Sequence, residues 1–300
     1  MKAIIVYFSP GGNTHKVAKQ FADALNPHCG KVERVNLARN KSYWESESFR
    51  NNLYRLINDF DLLCVGSPVY AHHLHYNVID FLEGLLPTAG GTQLAVPFVT
   101  YGGINSGEAL HEAEIILRKS GRAVVAGLKV NSEHTLTKPF SIDFNRGLPD
   151  GTAIPYIDEI VNQILSIRPE CAGSKNFLAY QRLPVRIRTR LLIGEKFWQN
   201  HMYPDRVFDS SKCDGCGICE KICPLQRFEM SAGKPVIKAN ARDCIHCGSC
   251  VFSCKTGANY LNTDMTKWER LFAKAASGKG PLPSNEEPKT KAYFPEIRCS

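Results

Sequence analysis

The feature that most constrains this chain is a pair of cysteine runs with the same spacing. The first reads Cys213-x2-Cys216-x2-Cys219-x3-Cys223, and the second reads Cys244-x2-Cys247-x2-Cys250-x3-Cys254. Gaps of two residues let successive thiolates face one inorganic cube, and thiolates are the ligands that iron-sulfur clusters select. Structural zinc is the alternative, although the later cysteines of each run would be surplus for a tetrahedral ion. The runs therefore predict two [4Fe-4S] clusters, with a redox or a purely structural role.

The first run continues with Pro224 and resembles the motif of two-cluster bacterial ferredoxins. The resemblance implies that three cysteines of each run share a cluster and that the fourth binds the other cluster. Cluster one would take Cys213, Cys216, Cys219 and Cys254, and cluster two would take Cys244, Cys247, Cys250 and Cys223. Lys255 stands where the second run would carry its proline. One hypothesis is that its ammonium raises the potential of cluster one, and an exposed lysine in a tolerated turn is the alternative.

The first half of the chain alternates short apolar runs with longer segments of helical period, which is typical of parallel strands joined by crossover helices. The predicted strands cover 3–8, 32–37, 61–66, 95–101 and 123–130. The predicted helices cover 13–25, 47–58, 76–86, 106–119 and 154–167. Five strands with interleaved helices make an α/β domain, a doubly wound parallel sheet, over residues 1–168. Ligands of such sheets bind at the carboxyl ends of the strands, so the turns after the first, third and fourth strands are the expected site.

The turn after the first strand has the composition of an anion site. It reads Ser9-Pro10-Gly11-Gly12-Asn13-Thr14 and leads directly into a helix, so free amides and hydroxyls converge there. It resembles the phosphate loop of flavodoxins, which has a hydroxyl residue, any residue, a second hydroxyl residue and then Gly-Asn-Thr. Ser9, Gly12, Asn13 and Thr14 match this pattern, whereas Gly11 replaces the second hydroxyl and offers only its amide. The resemblance implies an FMN phosphate at residues 9–14.

Two further turns fit the same resemblance. Pro68, Val69 and Tyr70 follow the third strand and resemble the flavodoxin loop that lies along the isoalloxazine ring, with Tyr70 as the stacking residue. The turn after the fourth strand resembles the loop at the other flank, where small residues let the backbone approach the ring. Its candidate residues are Tyr101, Gly102, Gly103 and Asn105. Three such turns in order on the right strands predict FMN as the cofactor.

His72, His73 and His75 follow the second of these turns and are the candidate catalytic residues. Imidazoles beside a flavin could donate protons or bind an acidic substrate. The alternative is that these histidines lie at the rim of the site and have no specific role, and this alternative is favoured on general grounds.

The rest of the chain divides where the composition changes. Residues 169–208 form a basic connector, and the segment from Cys171 to Lys212 carries eight Lys and Arg against three Asp and Glu. A small α+β two-cluster ferredoxin-like domain is expected over 209–262. The tail, 263–300, contains several Gly and Pro and is expected to be poorly ordered or dependent on a partner. The connector predicts docking to an acidic face, either on a redox partner or on the chain's own domains.

The order of the two domains resembles a family of flavodoxin-ferredoxin fusion proteins from anaerobic microbes. That resemblance implies an electron-transfer protein that relays low-potential electrons between two [4Fe-4S] clusters and FMN, to or from a partner protein. The alternatives are an FMN-dependent reductase of a small molecule, fed by the clusters, and a redox sensor. An NAD(P) fingerprint is missing from the sequence, which favours the carrier.

The surroundings of the protein can also be predicted from the sequence. No apolar run reaches the ~20 residues of a membrane span, and the N-terminal run is too short for a secretory signal. The connector lacks the interleaved aromatics and reader motifs of a nucleic-acid site. A cytoplasmic protein without membrane or nucleic-acid partners is expected. Contact between two copies of the chain, in a homo-oligomer, could bring flavin and cluster together if one chain holds them apart.

Overall fold

A computed structural model of the protein describes residues 1–88, 93–167, 176–178, 197, 203–277 and 289–296 of the 300-residue chain. The strands in this part of the chain are β1 (Lys2–Tyr7), β2 (Lys31–Asn36), β3 (Leu62–Tyr70), β4 (His73–Leu74), β5 (Leu94–Tyr101), β6 (Ala123–Val124), β7 (Gly127–Asn131), β8 (Arg206–Phe208), β9 (Phe228–Ser231), β10 (Lys234–Ile237), β11 (Asn259–Leu261) and β12 (Lys291–Tyr293). The α-helices there are α1 (Asn13–Leu25), α2 (Lys41–Glu45), α3 (Glu47–Ile57), α4 (Tyr76–Glu83), α5 (Ala109–Lys119), α6 (Ile154–Ser166), α7 (Ile218–Ile222), α8 (Ser249–Phe252) and α9 (Met265–Ala276).

Five parallel strands form the sheet of the first domain in the order β2-β1-β3-β5-β7. This is the 2-1-3-4-5 order of flavodoxin-like doubly wound folds, and it confirms the predicted fold class. The predicted fifth strand, 123–130, is divided into β6 and β7, which both pair with β5. The order brings the carboxyl ends of β1, β3, β5 and β7 next to one another at one edge of the sheet.

The sheet is buried on both faces, as its nearly continuous apolar strands require. Successive residues of β1 point to opposite faces, so Ile5 packs with α1 and α6 while Ile4 packs with α3, α4 and α5. The helices present their apolar stripes to these faces, with Phe21 of α1 and Phe81 of α4 among the largest fully buried side chains. This packing fixes the strand ends that carry the turns singled out above.

The cysteine-rich module has two antiparallel ribbons, β8 with β11 and β9 with β10, and one short helix in each cysteine run, α7 and α8. Its apolar side chains are continuous with the core of the first domain. Leu225, Phe228 and Ile245 belong to the same buried cluster as Ile4 and Phe81. The module therefore packs directly on the face of the sheet that α3, α4 and α5 cover.

The tail differs from the expectation of poor order in the parts that the structure describes. Helix α9 is capped by Asp264, whose carboxylate accepts hydrogen bonds from the Thr266 and Lys267 amides at 2.9 and 3.3 Å. Strand β12 pairs antiparallel with β7 at the edge of the large sheet. A capped amphipathic helix and a three-residue edge strand are ordered by tertiary contacts, which a composition rich in Gly and Pro does not reveal.

Most of the predicted basic connector lies outside the described residues, which include only 176–178, 197 and 203–208 of it. Within the part of the chain that the structure describes, no helix is both long and apolar enough to span a bilayer.

Candidate functional site

A cleft opens at the carboxyl edge of the sheet, where the turns after β1, β3, β5 and β7 meet. The predicted cofactor residues that line it are Gly11, Asn13, Thr14, Pro68, Val69, Tyr70, Tyr101 and Gly102. Ser9, Gly12, Gly103 and Asn105 lie behind these residues and do not line the cleft. The sequence reasoning missed the turn after β7, residues 132–136, and three residues of the C-terminal half, Tyr203, His246 and Cys247.

The turn after β1 presents helix amides to the cleft. Helix α1 begins at Asn13, and the residue before it, Gly12, has a φ of 97° and makes no side-chain cap. The amides of Asn13 and Thr14 belong to the first turn and have no acceptor within the helix. The His15 amide donates to Ser9 Oγ at 2.9 Å. Because such amides carry the positive end of the helix dipole, this turn suits an anion.

Gly11 faces the side chain of Thr135, in the turn after β7. A Cβ added at Gly11 would lie 2.4 Å from Thr135 Oγ1, closer than van der Waals contact allows. The Thr135 hydroxyl therefore lies close to where a side chain of residue 11 would extend. This is the loop position at which the sequence lacks the second hydroxyl of the flavodoxin pattern. The missing hydroxyl is thus replaced in space by one from another turn.

The turn after β3 continues as a hairpin, because Val69 and Tyr70 pair with Leu74 and His73 of β4. The ring of Tyr70 stacks on that of Tyr203, with centroids 6.0 Å apart and 23° between the planes. Tyr203 comes from the C-terminal half of the chain, so the two tyrosines form a wall of the cleft that spans both domains.

The turn after β5 approaches the backbone of its neighbours closely. A Cβ on Gly102 would lie 2.9 Å from the side chain of His134, and Gly103 has a φ of 73°. The Asn145 side chain donates to the Gly102 carbonyl at 3.0 Å. Burial lowers the pKa of His134 to about 4, so this imidazole is neutral near pH 7. Only small residues fit at these two positions, because the side chains of His134, Asn145 and Asn131 lie close to them.

The three candidate histidines lie outside the cleft lining. His73 Nδ1 lies 2.6 Å from a carboxylate oxygen of Glu112, whose other oxygen accepts from the Leu74 amide at 2.7 Å. His75 is fully buried and caps α4, since its Nδ1 accepts from the Asn77 amide at 3.1 Å. Burial lowers the pKa of His75 to about 3. The carbonyl of His72 accepts from the Glu108 amide at 2.8 Å. These contacts involve the ring Nδ1 atoms and the backbone around the β4 hairpin.

The two cysteine runs have the same local geometry. Gly217 and Gly248 precede α7 and α8 with φ of 70° and 72°. Two residues earlier, the Gly215 amide donates to Cys213 Sγ at 3.4 Å, and the His246 amide donates to Cys244 Sγ at the same distance. Each of these amides thus donates to the first cysteine sulfur of its run. One difference is that His246 adopts a positive φ, 50°, where the first run has glycine.

A cavity in the module is lined by Cys223 of the first run together with Cys244, Cys247 and Cys250 of the second. This is the set that the ferredoxin resemblance assigns to cluster two. Among the described residues, no three His, Cys, Asp or Glu side chains converge tightly enough to hold a single metal ion. The four thiols surround a space instead, which suits a polynuclear group. Grouping Cys213, Cys216 and Cys219 with Cys254 rests on the ferredoxin resemblance alone.

Two arginines line the same cavity. The Arg206 guanidinium lies 4.5 Å from the centroid of the Phe228 ring, and its Nε donates to Asn259 at 2.6 Å. Arg227 Nε and Nη1 are buried and have no hydrogen-bond partner among the described residues. Burial raises the pKa of Cys247 to about 11 and that of Cys250 to about 12. Partly buried arginines beside thiols that resist ionisation fit an anionic group that binds both, as a thiolate-bound cluster does.

The module is joined to the first domain by polar contacts as well as by the shared core. The Arg39 backbone amide donates to the Pro224 carbonyl at 2.8 Å, and its side chain donates to the carbonyls of Ile222 at 3.1 Å and Pro10 at 2.8 Å. Arg39 thus links the turn after β1 to the residues that flank Cys223. Arg242 donates to Asp80 of α4 at 3.2 Å.

The cleft and the cysteine cavity share two lining residues, His246 and Cys247. No sequence pattern signals this shared boundary, because it depends on how the module docks. The turn after β7 could have been anticipated, since the 2-1-3-4-5 order places its polar residues next to the turn after β5.

Comparison with known proteins gives the class to which the module belongs. The family described as 4Fe-4S dicluster domain matches residues 212–258. An uncharacterized ferredoxin of Methanocaldococcus jannaschii is 42% identical over 54 residues, which cover 17% of this chain and 86% of that protein. Ferredoxin-2 of Desulfomicrobium norvegicum is 47% identical over 30 residues, 10% of this chain and 51% of the ferredoxin, so the chain spans about half of that relative.

Among solved structures, a flavodoxin from the domain Archaea is 22% identical, with 41% of this chain and 78% of that chain covered at a TM-score of 0.34. The assignment of the first domain rests on its strand order. The chain belongs, through its C-terminal module, to the dicluster ferredoxins, and it carries that module behind a flavodoxin-like domain. The module thus defines an iron-sulfur protein of the ferredoxin class, and the strand order of the first domain defines a flavodoxin-like fold.

Proposed function

We propose that the protein relays electrons within one chain, between two [4Fe-4S] clusters in the module and an FMN in the cleft. A flavin exchanges one or two electrons and each cluster exchanges one, so two clusters match one flavin in capacity. The observation that carries the proposal is the shared boundary: His246 and Cys247 line both the cleft and the cysteine cavity. A cluster ligand then lies at the wall of the flavin site, without a second chain.

The cleft supplies what a flavin phosphate needs. The amides of Asn13 and Thr14 and the hydroxyls of Ser9 and Thr135 surround the turn after β1. Thr135 takes the place of the hydroxyl that Gly11 lacks. Tyr70 and Gly102 flank the space above the sheet, as expected for a ring bound between the second and third turns.

Cluster one would face solvent and a partner protein. Of the cysteines assigned to it, Cys216 is exposed, whereas Cys247 of cluster two is only 8% exposed. Lys212 and Lys255 are exposed cations next to Cys213 and Cys254. These charges favour an acidic face on the partner, in agreement with the charge of the connector.

A reductase of small molecules is less well supported. Tyr203, His246 and Cys247 cover part of the space over the cleft, where a substrate would approach the flavin. The three histidines that could have served such a substrate lie outside the cleft lining, with structural partners of their own.

The test begins with iron and flavin analysis of the anaerobically prepared protein, where about eight irons and one FMN per chain are expected. The clusters are then reduced in a stopped-flow instrument while the flavin absorbance is followed. Transfer within one chain predicts a rate that does not change when the protein is diluted. A rate proportional to protein concentration would place the transfer between chains, and an unreduced flavin would refute the relay.

A docking variant sharpens this test. Arg242→Ala removes the contacts with α4 and is expected to slow flavin reduction. The matched control is Arg270→Ala, which removes an exposed arginine of α9 that makes no described contact with the first domain.

A further inference from the structure

Arg227 is partly buried and places two buried, unpaired guanidinium nitrogens at the cysteine cavity. Its Nε and Nη1 are buried and have no hydrogen-bond partner among the described residues, and the side chain lines the cavity of Cys223, Cys244, Cys247 and Cys250. A guanidinium stays protonated in proteins. An unpaired buried charge is strongly unfavourable unless something in the same cavity balances it. The group that the four thiols would bind is the available counter-charge.

The other cations near the cysteines differ from Arg227 in position. Arg206 also lines the cavity of the second set, but its guanidinium lies over the Phe228 ring and donates to Asn259. Lys255 is solvent-exposed beside Cys254, so water screens its ammonium. Of these three cations, Arg227 alone has buried guanidinium nitrogens without a hydrogen-bond partner at the cavity of the second set.

We infer that Arg227 sets the order of the two clusters: its charge makes cluster two, at the wall of the flavin cleft, easier to reduce than cluster one. The inference rests on the proposed function for the presence of both clusters. A positive charge in a medium of low dielectric favours the cluster state with one more negative charge, and this raises the reduction potential. Arg227 would act on the electron only through the potential of the cluster, so it is a positioning residue and not a catalytic one.

The consequence is a direction of travel. An electron delivered by a reduced partner protein to cluster one moves to cluster two, so that cluster one is oxidised by one electron and cluster two is reduced by one. No bond breaks and no proton is transferred in this step. The electron then resides beside Cys247, which borders the flavin cleft.

The experiment is a redox titration of the fully loaded protein and of four variants, followed by electron paramagnetic resonance. Arg227→Gln removes the charge and Arg227→Lys keeps it. Lys255→Gln is the matched control, since it removes an exposed cation beside the other cluster. Cys250→Ser, which changes a ligand of the second set only, identifies the signal of cluster two. Iron content of each variant confirms that both clusters are present.

Arg227→Gln is expected to lower the reduction equilibrium constant of cluster two about tenfold or more, which is 59 mV for a one-electron couple, while cluster one stays within about threefold. Arg227→Lys should keep most of the wild-type value, and Lys255→Gln should shift cluster one by less than about threefold. Equal shifts of both clusters, no shift at all, or a control shift as large as that of Arg227→Gln would overturn the inference.

Flavin reduction in the same samples separates this inference from the proposed function. If the Arg227→Gln shift is found but reduced clusters never reduce the flavin, the relay is wrong and the role of Arg227 stands. If flavin reduction proceeds and the potentials do not respond to Arg227→Gln, the relay stands and the order of the clusters has another cause.

Discussion

Two substitutions can transfer the hydroxyl from Thr135 to residue 11 of the turn after β1, and this exchange tests the proposed flavin site. Thr135→Ala removes the hydroxyl from the turn after β7. Gly11→Ser supplies one within the loop, but its Cβ would lie 2.4 Å from Thr135 Oγ1. The double variant Gly11→Ser/Thr135→Ala provides the hydroxyl and removes the clash. The backbone of residue 11 permits serine, since Gly12 and not Gly11 has the positive φ.

The expected magnitude follows from the strength of one hydrogen bond to a charged group. Such bonds contribute about 1.5 to 3 kcal/mol, and every 1.4 kcal/mol changes a dissociation constant tenfold. Thr135→Ala should therefore weaken FMN binding between about tenfold and 140-fold. Gly11→Ser alone should weaken it too, because Thr135 must turn away. The double variant should recover most of the wild-type affinity.

The assay is a fluorescence titration of the flavin-free, cluster-loaded chain with FMN and, in parallel, with riboflavin, which lacks the phosphate. Only FMN binding should respond to Thr135→Ala, because the proposed partner of the hydroxyl is the phosphate. Thr135→Ser keeps the hydroxyl and is the control for packing. An equal loss of riboflavin and FMN affinity, or a double variant no better than Thr135→Ala, would contradict the assignment.

Three further outcomes are expected. Arg39→Ala should slow flavin reduction by the clusters several-fold without changing iron content, because Arg39 joins the phosphate loop to the residues beside Cys223; unchanged kinetics in the stopped-flow experiment would argue against it. The free energy of unfolding should fall as the pH drops below 6.5 towards 3, because His75 is neutral when folded and gains a proton on unfolding. His75→Asn, which keeps the helix cap, should reduce that slope in denaturant titrations by up to about 1.4 kcal/mol per pH unit. Glu269→Ala should loosen α9, which its carboxylate ties to the Ile142 amide at 2.8 Å, and hydrogen exchange of α9 amides should become faster while that of α1 does not.

The sequence allowed the sheet to be predicted because its evidence is local. Each strand is an apolar run of the right length between turn residues, and α1 was placed at its observed bounds by the turn that precedes it. The crossing of Cys223 into the second set came from the resemblance of the run, since spacing alone does not say which sulfurs share a cavity. The split of the fifth strand at Val125 and Ala126 was missed, because both residues are apolar and continue the pattern.

The features that could not be predicted are those made by distant residues. Thr135 completes the turn at Gly11 across more than a hundred residues of chain. Tyr203 stacks on Tyr70 from a stretch whose composition suggested only a basic connector. Helix α9 depends on Phe272, whose ring lies 5.0 Å from that of His134. These contacts join residues that are far apart in the sequence, and one-dimensional patterns contain no information about which distant residues meet.

Strand β12 gives the chain an unusual topology for a two-domain protein. It follows the cysteine-rich module, yet it pairs with β7 of the first domain. Along the chain, the module therefore lies between two segments that pair in a single sheet, so it is connected to the first domain on both sides. Cutting the chain between β7 and the module would separate β12 from the sheet. The edge of β7 would then be exposed, and a strand of another chain could pair with it. The same edge would be exposed if the two halves were separate polypeptides, so the arrangement favours keeping both on one chain.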